Sequence, residues 1–265
     1  MYYFTIGAVF KNESHILKEW IEHYLYHGIE HIYMINDNSN DNFLDILQPY
    51  LQNNTVTLYN ADIYDYKGGS WPQAEYYNKY FLKHLNETKW FGIFDLDEFL
   101  YSPKHLDLKI PLKDFEDKHQ LQINWVHFGS SGFKEQPNGV VNNFLLRGEY
   151  NSINNGPNGK YNSYKSIINS NYSQDFISLG IHRHIKQNII DTNISFNLKE
   201  PIMLVNHYAI QSVEAWNKRS KTSNIGNHYP GFIRDINLFN ELDKTYINDE
   251  RLKNQNIEIT DILSL

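Results

Sequence analysis

Two aspartates separated by one residue, Asp95 and Asp97, directly follow the short apolar run Trp90–Phe94. If that run is a strand, the turn at its end brings both carboxylates near one point. Mg2+ and Mn2+ prefer carboxylate oxygens and can bridge them to the oxygens of a diphosphate. An isolated Asp-x-Asp pair also occurs by chance as a solvated loop or helix cap. Its place here favours a metal–diphosphate site, because ligands of open α/β sheets bind beyond the carboxyl ends of strands.

A histidine could complete such a site. The sequence contains twelve histidines, so any single one is more often a packed or surface group than a ligand. His207 stands out because it ends the strand-like run Ile202–Asn206, and neutral imidazole can complete a metal site built on two aspartates. His182 and His184 form an alternative pair, since residues two apart lie on one face of a strand.

Two further clusters could contact the rest of a nucleotide. The run Asn36–Asp41 contains only Asn, Asp and Ser, whose side chains can hydrogen-bond a base or ribose and are equally good turn and cap residues. Lys218 and Arg219, with Lys221, fall on a predicted helix after His207. They are either a solvated basic face or a phosphate clamp, which arginine serves through its bidentate fork.

The elements that would position these residues alternate along the first hundred residues. We predict strands at Tyr3–Phe10, His31–Ile35, Thr55–Tyr59 and Trp90–Phe94. The helices between them are one capped by Asn12 or Ser14 and ended by Gly28, one capped by Asp41 and broken by Pro49, and one at Gln73–Leu85. This alternation predicts a mostly parallel sheet with right-handed crossovers and helices on both faces.

The pattern changes after residue 100. A strand at Gln120–Phe128 is followed by Gly-, Asn- and Ser-rich sequence to about residue 162, which we interpret as long acceptor-side loops. Further predicted elements are strands at Tyr164–Ile168, Ile177–His182 and Ile202–Tyr208, and helices at Ser212–Ser220 and Gly231–Leu242. We therefore expect one domain over residues 1–265, with a nucleotide-binding half (1–100) and a smaller, mixed acceptor-side half (101–265).

Composition narrows the class of protein. Hydrophobic residues make up 41% of the 265 residues and aromatic residues 15%, enough for a sizeable core. The net charge of −7 argues against a nucleic-acid partner, because such binding depends on clustered Lys and Arg. There are no cysteines, which excludes disulfides and thiolate chemistry. No apolar window approaches the length of a membrane span, and the N-terminal sequence resembles a buried strand rather than a signal peptide.

Four parts of the chain, in this order and spacing, resemble glycosyltransferase family 92 and its neighbours among the family-2-like transferases. They are residues 11–41, Gln73 with Asn78, the run 90–99 (WFGIFDLDEF), and the paired segments 125–133 and 205–220. The resemblance extends from about residue 5 to residue 220. It implies a GT-A fold, a nucleotide-sugar donor, a Mn2+-type cation (or Mg2+) and inversion at the anomeric carbon.

The resemblance also implies roles for individual residues. Asp95 and Asp97 match the residues that hold metal and diphosphate, and His207 matches the third metal-facing group. The expected donor-binding set is Lys11, Asn12, Glu13, Asp37, Asn38, Gln73, Asp95, Lys218 and Arg219. The family resembles Golgi enzymes with an N-terminal anchor, which this sequence lacks, so we expect a soluble, cytoplasmic enzyme of bacterial or viral type.

The acceptor side is less determined. Inversion needs a general base, for which we take Glu135, with Glu149 and Asp175 as rivals. Trp125, Phe128 and Ser130 are the expected acceptor-binding residues, although such aromatics, like Trp71, are more often core. Residues 142–144 (NNF) stand where a Glu-Arg-Phe-like run is expected, which leaves acceptor recognition open.

The function that these expectations define is transfer of a hexose, with galactose from UDP-galactose as the family analogy, to a glycan or glycoconjugate hydroxyl. Two alternatives stay open. A metal-dependent nucleotidyltransferase would also use paired aspartates, but it predicts a phosphate-cradling loop that the segment 7–14 lacks. A non-catalytic carbohydrate-binding or scaffold protein with a degenerate site predicts no metal-dependent donor binding.

Overall fold

A computed structural model describes residues 1–61, 72–148, 164–186, 192–194, 200–221, 235–256 and 259. The strands in these residues are β1 Tyr2–Phe10, β2 His31–Asn36, β3 Val56–Asn60, β4 Thr88–Ile93, β5 Glu98–Tyr101, β6 Gln120–His127, β7 Leu146–Arg147, β8 Tyr164–Asn169, β9 Phe176–Ser178, β10 Ile185–Lys186, β11 Thr192–Asn193, β12 Leu204–His207 and β13 Ile247–Asn248. The α-helices are α1 Ser14–Tyr26, α2 Phe43–Gln52, α3 Pro72–Tyr76, α4 Lys109–Leu112, α5 Val213–Lys221, α6 Ile236–Leu242 and α7 Arg251–Gln255. None of the helices in these ranges is long and apolar enough to cross a membrane.

One sheet organises the described part of the chain, with strand order β3-β2-β1-β4-β8-β6-β12-β5 and β11 added beside β6. Strands β1 to β4 pair in parallel with one another. Strand β8 is antiparallel to both β4 and β6, whereas β12 is parallel to β6 and antiparallel to β5. The carboxyl ends of β1 to β4, β6 and β12 therefore lie at one edge, together with the amino ends of β5 and β8.

Helical segments cover both faces of the sheet. On one face, Trp20, Ile21 and Tyr24 of α1 are fully buried against Phe4 and Ile6 of β1. On the other face, a second apolar cluster joins Val9 and Tyr33 to the segment that follows α3, including Tyr77 and Phe81. The approach there is close, because a Cβ at Gly7 would lie 2.6 Å from the Phe81 ring. The predicted α/β class with a mostly parallel sheet covered by helices is confirmed.

Two predicted helices were wrong in detail. Helix α2 continues through Pro49 to Gln52, because buried Leu47 and Tyr50 hold that turn against the core while Pro49 itself faces solvent. Asp41, the predicted cap of α2, instead accepts a hydrogen bond at 2.8 Å from the backbone N–H of Ser14, the first residue of α1. The N-cap residue of α1 is Glu13 rather than the predicted Asn12 or Ser14, and that of α2 is Asn42.

The predicted helix Gln73–Leu85 is three short segments: α3, a π-helical turn at Tyr77–Phe81 and a 3-10 segment at Leu82–Glu87. The side chain of Asn78 donates to the carbonyl of Ala74 at 2.6 Å, and so competes with the backbone for the i−4 acceptor. A side-chain group inserted in this way is one cause of an irregular helix.

Later elements differ most from the prediction. The strand predicted at Ile177–His182 is β9, Phe176–Ser178, preceded by a 3-10 turn at Ser170–Asp175. The helix predicted from Gly231 is described only as α6, which Asp235 caps through the N–H of Leu238; residues 231–234 lie outside the described ranges. Strand β5 and helix α7 were not predicted, because both are short and β5 continues directly from the acidic turn.

Candidate active site

The turn Asp95–Glu98 connects β4 to β5 at the carboxyl edge of the sheet, and buried residues of α1 hold its backbone. The indole N–H of Trp20 donates to the carbonyls of Asp95 and Glu98, each at 3.0 Å. The Tyr24 hydroxyl also donates to the Glu98 carbonyl at 3.0 Å. Because both donors are fully buried, the acidic turn is anchored to the core rather than left as a solvated loop.

Asp97 lies between the side chains of Arg219 and His207. One of its carboxylate oxygens is 3.2 Å from Arg219 Nη1, and the other is 3.6 Å from His207 Nε2. Burial raises the pKa of Asp97, but the His207 and Arg219 contacts outweigh burial and hold the pKa well below its usual range. Asp97 is therefore an ionised carboxylate at neutral pH, as a metal site requires.

Asp95 and Glu98 share a buried lysine. The ammonium of Lys165, on β8, lies 3.0 Å from Asp95 Oδ2 and 3.2 Å from Glu98 Oε2. Burial raises the pKa of Glu98 well above its ordinary value, and the Lys165 charge opposes that rise. Burial alone would lower the pKa of Lys165, but Asp95 and Glu98 raise it above its ordinary value. Lys165 is not among the residues predicted from the sequence; its only signal there is a lone lysine in an otherwise strand-like run.

The residues present fit a divalent cation. One ligand atom each from Asp97, Glu98 and His207 lies within 4.8 Å of the others. Within the described residues, Glu98 Oε1 and His207 Nδ1 are buried without a hydrogen-bond partner. Two carboxylates and an imidazole are a donor set that can hold a divalent cation. Of the three predicted metal residues, the structure brings Asp97 and His207 together with Glu98, whereas Asp95 contacts Lys165 and, at 3.4 Å, Gln73 Nε2.

The predicted donor-binding residues after β1 and β2 lie side by side. Lys11 Nζ is 3.7 Å from Asp37 Oδ2, and Asp37 Oδ1 accepts from the Tyr76 hydroxyl at 3.2 Å and from Asn38 Nδ2 at 3.4 Å. Asn12 Oδ1 instead accepts from the backbone N–H of Asn40 at 2.8 Å. The Asn-rich run thus provides turn chemistry, which holds Asp37 in a buried position beside Lys11.

The two predicted basic residues of α5, Lys218 and Arg219, lie in different surroundings. Arg219 contacts Asp97 and also Glu13, with Nη2 3.4 Å from Glu13 Oε2, and it donates to the Ala209 carbonyl at 3.1 Å. Lys218 is exposed. Arg219 therefore joins the segment after β1 to the acidic turn, whereas Lys218 stays on the outer face of the helix.

The predicted acceptor residues lie in different surroundings. Trp125 is 8% exposed, and its ring centroid is 4.4 Å from that of His207. Phe128 is buried against Tyr208, and the buried Ser130 hydroxyl donates to Asp243 Oδ2 at 2.8 Å, so both side chains pack inside the fold. His127, which is not among the predicted site residues, is in register with His207 on the neighbouring strand, and burial lowers the pKa of His127 to about 3.

The candidate general bases Glu135 and Asp175 lie at opposite edges of the sheet. Glu135 is exposed in the loop that follows β6 at the carboxyl edge. Its neighbours anchor that loop to α5, since the Lys134 carbonyl accepts from the N–H of Glu214 and Gln136 donates to the Glu214 carboxylate. Asp175 follows the far end of β8, which pairs with the start of β4, and so lies at the opposite edge. Glu149 lies outside the described residues.

A mostly parallel α/β sheet with an acidic turn at its carboxyl edge is the arrangement of GT-A-type glycosyltransferases. The family model of "Glycosyltransferase family 92" matches residues 2–257. The chain belongs to that family, and the resemblance inferred from its motifs is confirmed.

Curated relatives from plants carry the same family name. A glycosyltransferase family 92 protein of Ricinus communis is 26% identical over 217 residues, which are 76% of this chain and 34% of the relative. One of Oryza sativa subsp. japonica is 25% identical over 222 residues, 80% of this chain and 34% of that protein. The chain spans about a third of the length of these relatives.

Solved structures show more distant similarity. Residues 1–349 of S. aureus TarS, in complex with UDP-GlcNAc, align with a TM-score of 0.40 at 16% identity, covering 66% of this chain and 49% of that one. Glucosyl-3-phosphoglycerate synthase of Mycobacterium tuberculosis, in complex with Mn2+, UDP and glucosyl-3-phosphoglycerate, aligns with a TM-score of 0.35 at 10% identity, covering 66% and 59%. Similarity this distant transfers neither a ligand nor a residue role to the present chain.

Proposed function

We propose that this chain is a metal-dependent, inverting hexosyltransferase. Its donor would be a UDP-hexose, UDP-galactose being the first to test, and its acceptor a hydroxyl group of a glycan or glycoconjugate. The observation that supports this most is the set of buried Glu98 and partly buried Asp97 and His207, beside Asp95, at the edge of the sheet where nucleotide ligands bind. Family membership supports sugar transfer rather than nucleotidyl transfer.

Asp97, Glu98 and His207 are the residues that would hold the cation. When bound, it would neutralise charge that develops on the leaving diphosphate as the glycosidic bond breaks. His207 and Arg219 together hold the pKa of Asp97 low. Arg219 also fixes the direction of that carboxylate, because one guanidinium nitrogen contacts Asp97 while the other contacts Glu13. We assign Lys11, Asp37, Asn38 and Gln73 to the donor pocket, and Asn12 and Glu13 to the turn that shapes it.

The acceptor side of the proposal uses the second half of the chain. Inversion needs a base on the face opposite the leaving group, and Glu135 is our candidate because it lies exposed in a loop at the correct edge. Trp125, next to His207, would pack against the sugars. The division into a donor half (1–100) and an acceptor half (101–265) stays part of the proposal, although Lys165 and Arg219 of the second half reach into the donor side.

A donor panel tests the proposed function. The protein is incubated with UDP-, GDP- and dTDP-sugars and Mn2+, and release of nucleoside diphosphate is measured for the wild type, Asp97→Asn and the control Asp117→Asn. Asp117 is exposed near the start of β6, at the opposite edge of the sheet. We expect Asp97→Asn to lower turnover at least about a hundredfold, since a charged ligand is lost. The Asp117 variant should retain it.

Other outcomes separate the alternatives. Equal turnover in the wild type and Asp97→Asn would remove the metal role from Asp97. Failure of every donor to bind in the presence of Mn2+ would favour a carbohydrate-binding scaffold. Release of pyrophosphate from a nucleoside triphosphate and a sugar phosphate would favour a nucleotidyltransferase.

A further inference from the structure

A buried lysine, Lys165, contacts the acidic turn from the strand beside it. Its side chain is 0% exposed, and its ammonium lies within 3.2 Å of a carboxylate oxygen of Asp95 and one of Glu98. Burying a charged group is costly unless it is paired, so a lysine at this place needs its acidic partners. The two partners differ in how far they depend on the lysine.

Glu98 requires it for charge balance. Its side chain is also 0% exposed, and the same Oε2 that contacts Lys165 accepts the backbone N–H of Asp95 at 3.0 Å. A carboxylate removed from water in this way is stabilised by a buried cation. Charge balance for Glu98 therefore accounts for one of the two Lys165 contacts.

Asp95 differs because its side chain is 29% exposed. Water can solvate this carboxylate, so it needs no buried counter-ion. Lys165 contacts Oδ2 at 3.0 Å, while Gln73 Nε2, from α3 on the other side, approaches Oδ1 at 3.4 Å. A carboxylate held at both oxygens has a fixed plane. The contact between Lys165 and Asp95 therefore orients the Asp95 carboxylate.

We propose that Lys165 is a positioning residue that fixes the direction of the Asp95 carboxylate at the donor site, separately from balancing Glu98. This role rests on the proposed function and on the expectation from the sequence that Asp95 belongs to the donor-binding set. Lys165 touches neither donor nor acceptor in the proposal; it acts through Asp95.

A double-mutant cycle tests the role. UDP affinity is measured by calorimetry in the presence of Mn2+ for the wild type, Lys165→Met, Asp95→Asn and the double variant. We expect each single variant to weaken UDP binding about tenfold or more. The double variant should be no more than about threefold weaker than the poorer single variant, because both changes remove the same oriented carboxylate. If the loss of UDP affinity in the double variant equals the product of the losses in the two single variants, the proposal is wrong.

Two further variants serve as a control and as a replacement if Lys165→Met does not fold. Lys89→Met is the matched control: Lys89 lies on β4 near the opposite edge, paired with Glu116, and UDP affinity should stay within about twofold of the wild type. If Lys165→Met unfolds, the Lys165–Asp95 coupling is measured in a Glu98→Gln background by urea unfolding without ligand, since removing both partners of a buried ion pair is far less destabilising than removing one. A coupling below about twofold in the unfolding equilibrium constant of that background overturns the proposal.

If the wild type binds no UDP in the presence of Mn2+, the proposed function is wrong. The role of Lys165 can still be tested in that case, by a measurement that needs no ligand. The coupling between Lys165 and Asp95 is also measured by urea unfolding of the protein without ligand. Positioning predicts a coupling of about fivefold or more in the unfolding equilibrium constant. A coupling below about twofold overturns the Lys165–Asp95 link whatever the protein binds.

Discussion

At the scale of single residues, Arg219 shows how the site depends on the geometry of one side chain. Its two terminal nitrogens contact Asp97 at 3.2 Å and Glu13 at 3.4 Å, two carboxylates that lie far apart in sequence. A guanidinium can serve both because its donors form a rigid planar fork. The ammonium of a lysine is a single point charge on a flexible stem, so it cannot hold both carboxylates in the same way.

Arg219→Lys should therefore lower turnover of the nucleotide sugar by about tenfold or more, the effect of losing one charge-assisted hydrogen bond of about 1.5–3 kcal/mol. Lys218→Ala, the matched control on the exposed face of the same helix, should stay within about twofold. Steady-state release of nucleoside diphosphate, read as separate kcat and KM values, measures both. If the two variants lose activity equally, Arg219 has no special place in the site.

At the scale of elements, helix α2 contains Pro49 in its interior without ending there. Proline has no N–H to donate to the carbonyl of Asp45, four residues earlier, and its ring crowds that carbonyl. The helix persists because Leu47 and Tyr50 are buried on the core side. Tertiary packing has thus overridden a local signal that ends most helices.

Pro49→Ala should raise the free energy of unfolding by about 1–2 kcal/mol. The gain from a restored helical hydrogen bond is reduced by the greater conformational freedom of the unfolded chain. Urea unfolding of the wild type, Pro49→Ala and the exposed neighbour Gln48→Ala measures the effect, with the Gln48 variant expected within about 0.5 kcal/mol of the wild type. An unchanged or lower midpoint for Pro49→Ala would show that the proline is accommodated without cost.

At the scale of the whole molecule, buried neutral histidines join distant parts of the chain. His23 Nε2 lies 2.8 Å from the Leu100 carbonyl, and His27 Nε2 lies 2.8 Å from Asn256 Oδ1. Asn256 Nδ2 is 2.9 Å from His23 Nδ1, so this group connects α1 to the end of α7. Burial lowers the pKa of His23 and His27, and it lowers the pKa of His184 to about 4.

These histidines make stability depend on pH. Their pKa values are near 6.5 in the unfolded chain and lower in the fold, so the unfolded state binds more protons between about pH 6.5 and the folded pKa. Their contribution is complete above pH 6.5 and declines as the pH falls towards 4. Each histidine contributes up to about 1.4 kcal/mol per pH unit in that window.

Urea unfolding of the metal-free protein at pH 8, 7, 6 and 5 tests this dependence. The free energy of unfolding should change little between pH 8 and 7 and fall by several kcal/mol between pH 6.5 and 5. His184→Gln should reduce the slope by about one proton equivalent. A flat profile from pH 7 to 5 would mean that these histidines titrate alike in both states.

The fold was predictable in its first hundred residues for a local reason. Apolar runs and i, i+3, i+4 spacing are read within one segment, and β1 to β4 and α1 followed that pattern closely. The second half was less predictable, because its strands are short and their neighbours distant in sequence. Strand β8, for example, is antiparallel between β4 and β6, and no pattern within Tyr164–Asn169 specifies those partners.

The sequence by itself determined that Asp95 and Asp97 follow a buried strand, and the motifs around them identified family 92, which the family match confirmed. Only the tertiary structure decided which groups meet these carboxylates. Lys165 reaches Asp95 across 70 positions of sequence and Arg219 reaches Asp97 across 122. Such contacts depend on strand order and direction, which arise from packing of the whole sheet, whereas a sequence pattern reports only the periodicity of each element.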